Sequence, residues 1–99
     1  MKPNGQTGLW IDKKILFSDL NLIDKLILAD VIALSKHTHQ FRKMNSTISD
    51  SFGVSLRTVN RSVSVLVSRD LIESRIIGYS PNGAKQRVLI PNFKNIEKL

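Results

Sequence analysis

The chain has 99 residues, which is enough for one hydrophobic core and too few for two domains. Hydrophobic residues make up 41% of it, which excludes a wholly disordered chain, and the absence of cysteine excludes disulfides and thiolate metal sites. Lys and Arg number 15 against 8 Asp and Glu, and this formal net charge of +7 indicates either a polyanionic partner or a basic surface that only keeps the protein soluble.

The N-terminal residues are polar and rich in turn formers (MKPNGQTG), so we expect a flexible arm over residues 1–8 rather than a signal peptide. The longest apolar stretch, residues 26–34, is interrupted by Asp30 and is far shorter than the roughly 20 residues of a membrane span. A chain without cysteine also fits a reducing compartment. We therefore expect a cytoplasmic protein that does not contact membranes.

Two helical segments are predicted in the first part of the chain. Residues 13–17 suit a single helical turn that directs Ile15, Leu16 and Phe17 to the core. A long helix then begins with Asn21 as N-cap and Asp24 at the third helical position, where a negative charge favours the helix dipole. This helix ends near residues 35–37, and its broad apolar face is predicted to contain Leu22, Leu26, Ile27, Ala29, Val31, Ile32 and Leu34.

A short strand and a short helix follow. The strand lies within residues 40–44 and is centred on Phe41, and residues 45–47 (NST) offer several N-cap candidates for the helix. This second helix ends at Phe52, and Ile48 and Phe52 share its buried face because they are four residues apart. Gly53 then suits a left-handed helix end.

A third helix is predicted from its N-cap Ser55 to about Arg69. At about 100° per residue, one side of it is apolar, with Leu56, Val59, Val63, Leu66 and Val67. The opposite side carries Arg57, Thr58, Arg61, Val65 and Ser68. No acidic residue precedes Asp70 in this helix, whereas a helix that serves only solubility would mix charges of both signs.

The C-terminal part of the chain is predicted to form a β-hairpin. Residues 72–77 alternate as a strand does, residues 78–83 are dense in turn formers with Asn82 and Gly83 at the turn, and residues 86–90 form the second strand. Pro91 ends this strand. Residues 92–99 form a tail that folds as a frayed helix through Phe93, Ile96 and Leu99.

Residues 47–59 (TISDSFGVSLRTV) resemble a helix-turn-helix signature, with Gly53 to turn the chain, Val54 between the helices and Ser55 to cap the second one. Over residues 8–77, the segment GLWI at 8–11, the helix at 22–34 and FGVS at 52–55 resemble the winged-helix domains at the front of phage and plasmid replication initiators. The chain departs from the pattern at three positions. Ser49 occupies a position that usually holds Ala, Lys43 one where a capping Ser is common, and Asp70 one where Gly is frequent.

The resemblance implies an α+β, mostly helical fold: a winged helix-turn-helix over residues 9–91, with a three-helix core and a C-terminal β-hairpin wing. It also implies sequence-specific binding of double-stranded DNA, association with the nucleoid, and a role in replication initiation or transcriptional regulation of a phage or mobile element. The third helix, residues 55–69, would enter the major groove, and the wing, residues 72–90, would contact the adjacent backbone or minor groove.

The candidate DNA-binding residues follow from that placement. Arg57 and Arg61 are candidates for bidentate bonds to guanine, and Thr58 and Val65 for contact with a thymine methyl group. Ser55 with its neighbouring N–H groups suits a phosphate. The remaining candidates for backbone or groove contacts are Lys43 and Asn45 at the start of the second helix and Asn82, Lys85 and Arg87 on the wing.

Other readings stay open or are disfavoured by the sequence. His37 and His39 lack a Cys or nearby acid to complete a metal site, and no nucleophile motif or phosphate loop is present, so we expect no enzyme activity, metal or cofactor. One alternative is that the exposed arginines form a solvated helix face without a ligand. The alternative function is a winged-helix protein–protein interaction module in a replication or regulatory assembly, with replication proteins as partners, motivated by Val65, which is predicted to be exposed, and by the apolar residues 9–11. A homodimer and a longer initiator with this chain at its front also remain open.

Overall fold

The structure, a computed structural model, describes residues 9–38 and 41–99, although the side chains of residues 37 and 38 are not described. Over these residues five helices accompany a two-stranded antiparallel sheet, so the predicted α+β class is confirmed. The elements are α1 (Lys13–Leu16), α2 (Leu22–Thr38), α3 (Asn45–Phe52), α4 (Leu56–Ser68), β1 (Ile72–Tyr79), β2 (Lys85–Pro91) and α5 (Phe93–Ile96). The predicted arm, residues 1–8, lies outside the described residues.

Side-chain capping sets the beginnings of α2 and α4, as predicted. The Asn21 side-chain oxygen accepts a hydrogen bond from the Asp24 N–H at 2.9 Å, and Ser55 Oγ accepts one from the Thr58 N–H at 3.1 Å. Gly53 ends α3 in the left-handed conformation with φ 66°, which confirms the predicted turn. Asp70 also has a positive φ, 56°, which an aspartate tolerates.

The start of α3 differs from the prediction. Its N-cap is Met44, which makes no side-chain capping bond, so the prediction of a cap within residues 45–47 is wrong. The physical reason lies in tertiary contacts: the Asn45 side chain bonds to β2 and α4, as described below, and is not available to the first turn of its own helix.

The core lies where α2, α4 and the sheet meet. Its fully buried members include Ile27, Leu28, Ile48, Val59 and Leu66, and Phe52 packs against it while partly exposed. Several apolar side chains that were predicted to be buried are exposed instead: Leu16, Phe17, Leu22, Leu56 and Val67.

Helical geometry explains these exposed side chains. Because α1 is a single turn, only one of the three consecutive apolar side chains at its end, Ile15, points into the core, while Leu16 and the C-cap Phe17 do not. At about 100° per residue, Leu22 lies on the side of α2 opposite to Val31. By the same measure Leu56 and Val67 lie roughly 70–90° from the middle of the buried face of α4, at its edge.

The hairpin is longer than predicted and contains an irregularity. Its register pairs Ile72 with Pro91 and Tyr79 with Lys85, and it shifts between Ile76 and Gly78, which leaves Ile77 as an extra residue in β1. The predicted strand at residues 40–44 is reduced to one bridge, in which the Leu89 N–H donates to the Phe41 carbonyl at 2.9 Å. This bridge attaches the segment before α3 to the edge of the sheet.

The C-terminal tail is fastened to the core. Asn92 caps α5, its N–H donates to the Leu71 carbonyl at 2.9 Å, and the Asn95 side-chain amide donates to the Asp70 carbonyl at 2.9 Å. Ile96 is buried. The predicted tail helix is therefore confirmed as a single turn, although Phe93 is half exposed.

Candidate nucleic-acid interface

The outward side of α4 carries Arg57 and Arg61. Val59, Ser62, Val63 and Leu66 are buried on the inner side, whereas both arginines are exposed. They face away from the core because they lie about 150–170° from the middle of the buried face. The outward orientation that the sequence predicted for this pair is therefore present, and the C-terminal residues do not cover it.

The N-terminus of α4 is open to solvent. Ser55 Oγ accepts from the Thr58 N–H and lies 2.9 Å from Thr58 Oγ1, so this hydroxyl is already engaged in the cap. Leu56 and Arg57, the first residues of the helix, are exposed. A phosphate at this end would thus be bound by backbone N–H groups and the helix dipole rather than by the Ser55 hydroxyl. Val65, further along α4, is half-buried.

A buried polar pair lies beneath α4. Asp24 at the start of α2 and Ser62 in the middle of α4 are both more than nine-tenths buried, and Ser62 Oγ donates a hydrogen bond to the Asp24 carboxylate. From the sequence, Asp24 was assigned only to the helix dipole, and Ser62 was not predicted to belong to the site. The position of Ser62, three residues after Val59 and four before Leu66, was the available signal that it faces inward.

A chain of hydrogen bonds connects β2, the start of α3 and α4. The Arg87 guanidinium donates from Nη2 to the Lys43 carbonyl at 3.1 Å and to Asn45 Oδ1. Asn45 Nδ2 in turn donates to Asn60 Oδ1 at 2.8 Å. Burial of the guanidinium lowers the pKa of Arg87 from its ordinary value. Asn60 was not predicted to belong to the site, and as an exposed residue on α4 it carried no sequence signal for this contact.

This chain of bonds changes the expected roles of Arg87 and Asn45. Part of the Arg87 guanidinium is directed toward the start of α3, and both ends of the Asn45 amide have partners within the protein. Their contact with DNA remains a prediction, with the other guanidinium N–H groups of Arg87 as its donors.

Lys43 and Asn82 also have partners within the protein. Lys43 Nζ lies 3.1 Å from the Asp30 carboxylate and 5.9 Å from the centre of the Phe41 ring. At the tip of the hairpin, Asn82 Oδ1 accepts from the Ala84 N–H at 3.1 Å and from Ser80 Oγ, so this side chain shapes the turn. Lys85 is exposed next to that turn.

A groove of about 710 Å³ separates the hairpin from the segment that leads into α3. Of the predicted site residues, it brings together Asn45, Asn82, Lys85 and Arg87, and it leaves out Arg57 and Arg61. Four of its other lining residues were not predicted from the sequence: Arg42, Met44, Ile76 and Ile77. Exposed apolar residues on a hairpin give no sequence signal that distinguishes a groove from a plain surface.

Two further observations concern the chemistry of the described part of the chain. Within residues 9–38 and 41–99, no three His, Cys, Asp or Glu side chains come close enough together to hold a metal ion. The side chains of His37 and His39 are not among those that the structure describes, so the predicted absence of a metal site there stays a prediction. None of the helices in the same part of the chain combines the length and the apolar character needed to cross a membrane.

Comparisons of the chain with models of protein families, with curated proteins and with solved structures found no match. The candidate interface therefore stands on the sequence and the geometry described above.

Proposed function

We propose that the chain is a winged helix-turn-helix domain that binds double-stranded DNA with sequence preference, with α4 as its recognition helix and the β1–β2 hairpin as its wing. The order of α2, α3, a left-handed turn at Gly53, α4 and the hairpin supports this assignment. The observation that carries the proposal is the exposure of Arg57 and Arg61 on the side of α4 that faces away from the core.

The spacing of these two arginines suits base recognition in the major groove. A rise of about 1.5 Å per residue separates them by roughly 6 Å along α4, close to twice the spacing of about 3.4 Å between successive base pairs. Each guanidinium can donate two hydrogen bonds to O6 and N7 of a guanine, with roughly 1–3 kcal/mol of discrimination against another base. The pair therefore suits two guanines about two base pairs apart.

The other candidate residues have supporting roles in this proposal. The exposed N–H groups at the start of α4 bind a phosphate and fix the position of the helix along the groove. Lys85 and the remaining donors of Arg87 contact the backbone from the wing, and Thr58 and the half-buried Val65 approach a thymine methyl group. Lys43, because it is paired with Asp30, contributes less charge than an unpaired lysine would.

The test begins with selection of bound duplexes from a random pool, followed by anisotropy titration of a labelled selected duplex. Arg61→Ala should weaken binding by about 5- to 150-fold, the equivalent of one lost bidentate base contact. Arg75→Ala is the matched control, because it removes the same charge from an exposed side chain that is bonded to Glu73 on β1. Equal effects of the two variants would refute base recognition by α4, and an affinity that does not fall with salt would refute the proposed phosphate contacts.

The selected sequences also distinguish the biological roles that the resemblance implies. A palindromic site would indicate a homodimer, as expected for an operator in transcriptional regulation. Directly repeated sites would indicate an origin of replication.

A second candidate function is a protein–protein interaction module. Trp10 is 81% exposed, and it lines a second groove, of about 460 Å³, together with Ile15, Ile32 and Phe93. Exposed aromatic side chains beside an apolar groove are typical of contact surfaces between proteins. A pull-down of replication proteins that persists after Arg57→Ala and Arg61→Ala, and that Trp10→Ala abolishes, would favour this function.

A further inference from the structure

We propose that the groove between the hairpin and the start of α3 binds single-stranded DNA, at a site that shares Lys85 and Arg87 with the proposed wing contacts but does not include Arg57 and Arg61 of α4. The choice of DNA as the polymer rests on the proposed function of α4. The groove itself is argued from its charge, its apolar surface and the irregularity in β1.

The groove has the charge that a phosphate backbone requires. Arg42, Lys85 and Arg87 line it, and the lining residues that the structure describes include no Asp or Glu. Glu73, the acidic residue of β1, belongs to the other face of the hairpin, where the Arg75 guanidinium Nε donates to it at 3.1 Å. Cations that line one concave surface attract a polyanion, and a nucleic-acid strand gains further by releasing its counterions there.

The apolar part of the groove favours an unpaired strand over a duplex. Met44 is 64% exposed, and Ile76 and Ile77 are 50% and 40% exposed. Phosphates gain nothing from such side chains, and a duplex hides the faces of its bases within the stack. Of the two forms of DNA, only a single strand presents both its charged backbone and the apolar faces of its bases, and proteins bind such strands with basic grooves that contain aromatic side chains.

An aromatic side chain stands at the outer end of the same face. Tyr79 is 63% exposed, and the register of the hairpin places it opposite Lys85. Side chains that are opposite each other in a sheet share a face, and Lys85 shares its face with Arg87, two residues further along β2. Tyr79 is not itself a lining residue of the groove, so a base that stacks on it would lie just beyond the groove's outer end, next to Lys85.

The extra residue in β1 gives the groove its apolar width. In a regular strand, Ile76 and Ile77 would point to opposite faces of the sheet. Both line the groove, because the register shift between Ile76 and Gly78 leaves Ile77 without a partner in β2. The irregularity therefore presents two adjacent apolar side chains to one ligand.

The experiment measures anisotropy of a labelled oligothymidine of about 12 nucleotides, a length within the usual range for single-strand sites, with the full chain. Tyr79→Ala should weaken its binding by about 5- to 150-fold, the loss expected for one stacked base. Tyr79→Phe, which keeps the ring, should bind as the unchanged chain does. Arg61→Ala should leave oligothymidine binding unchanged while it weakens binding of the selected duplex.

Each outcome decides the proposal, and a circular dichroism spectrum confirms that every variant is folded. Oligothymidine binding that Arg61→Ala weakens and Tyr79→Ala does not would overturn it, since single strands would then use the duplex face. Absence of oligothymidine binding would also overturn the proposal but would leave the duplex proposal intact. That result is expected if the groove binds a protein instead of DNA. If the unchanged chain binds oligothymidine but no duplex from the random pool, the proposed function of α4 is refuted and the single-strand site stands.

Discussion

The hydrogen bond between Ser62 and Asp24 should contribute measurably to the stability of the fold. The substitution Ser62→Ala removes the hydroxyl that donates to a buried carboxylate and adds no bulk. Hydrogen bonds to charged groups contribute about 1.5–3 kcal/mol, so the free energy of unfolding should fall by that amount. For a domain of this size, the same loss corresponds to a decrease in Tm of roughly 6–24 °C.

The assay is urea unfolding at neutral pH, followed by circular dichroism, on a four-variant cycle. The cycle combines Ser62→Ala with Asp24→Ala, because Asp24→Ala alone also removes a favourable charge from the first turn of α2. The two substitutions together should be less destabilising than the sum of the single ones, with a coupling of about 1–3 kcal/mol. Ser64→Ala is the matched control, since Ser64 is an exposed serine on the same helix and its loss should cost less than about 0.5 kcal/mol.

A coupling below about 0.5 kcal/mol would refute this reasoning, because contacting residues that stabilise each other should couple more strongly. The same would follow if Ser62→Ala and Ser64→Ala had equal midpoints and slopes. In either case the packing around Asp24, and not its bond to Ser62, would be what fixes α4 against α2.

Three more predictions address the turn, the cap and the connection between the wing and α3. Gly53→Ala should lower the free energy of unfolding by about 1–2 kcal/mol, because alanine is strained at the positive φ of this position. The loss comes from backbone strain alone, since a Cβ there meets no atom within 4 Å. The control in urea unfolding is Gly78→Ala, where φ is not positive, and an equal loss in both variants would contradict this prediction. Ser55→Ala should cost about 1 kcal/mol in thermal unfolding through loss of the α4 cap, while Ser46→Ala, at a position where no cap forms, should not. Arg87→Ala should accelerate amide hydrogen exchange in residues 43–46 and 85–87, because it removes the bonds to the Lys43 carbonyl and to Asn45. Unchanged exchange, or equal acceleration by Lys85→Ala, would show that these bonds do not hold the two segments together.

The sequence predicted best where short-range chemistry decides the structure. Asn21, Gly53 and Ser55 each act within one turn of the chain, and all three have the predicted roles. The hairpin turn at Gly83, with φ 86°, follows from the same kind of local preference. The outward position of Arg57 and Arg61 follows from the helical period once the apolar side of α4 is identified.

Features that depend on distant residues were missed, because periodicity does not report which partner a side chain meets. Asn45 was predicted as a cap candidate, yet its side-chain partners are Asn60 and Arg87, 15 and 42 residues away. Asp24 and Ser62 are 38 residues apart, and neither residue type is typical of a core. The irregularity at Ile77 could not be predicted from the sequence either, because both neighbouring residues have strand character and only the pairing with β2 shows the extra residue.

This unpaired position divides the hairpin into two parts under different constraints. On its inner side, Arg75 pairs with Val88 and Ser74 pairs with Leu89, and both β2 side chains are buried. A slip of one residue there would exchange the two faces of the sheet. On its outer side, residues 78–86 contain no buried member, so insertions or deletions near Gly83 alter only how far the hairpin extends. Evolution can therefore lengthen, shorten or alter the outer half to suit a new ligand, while the inner half keeps the same buried contacts.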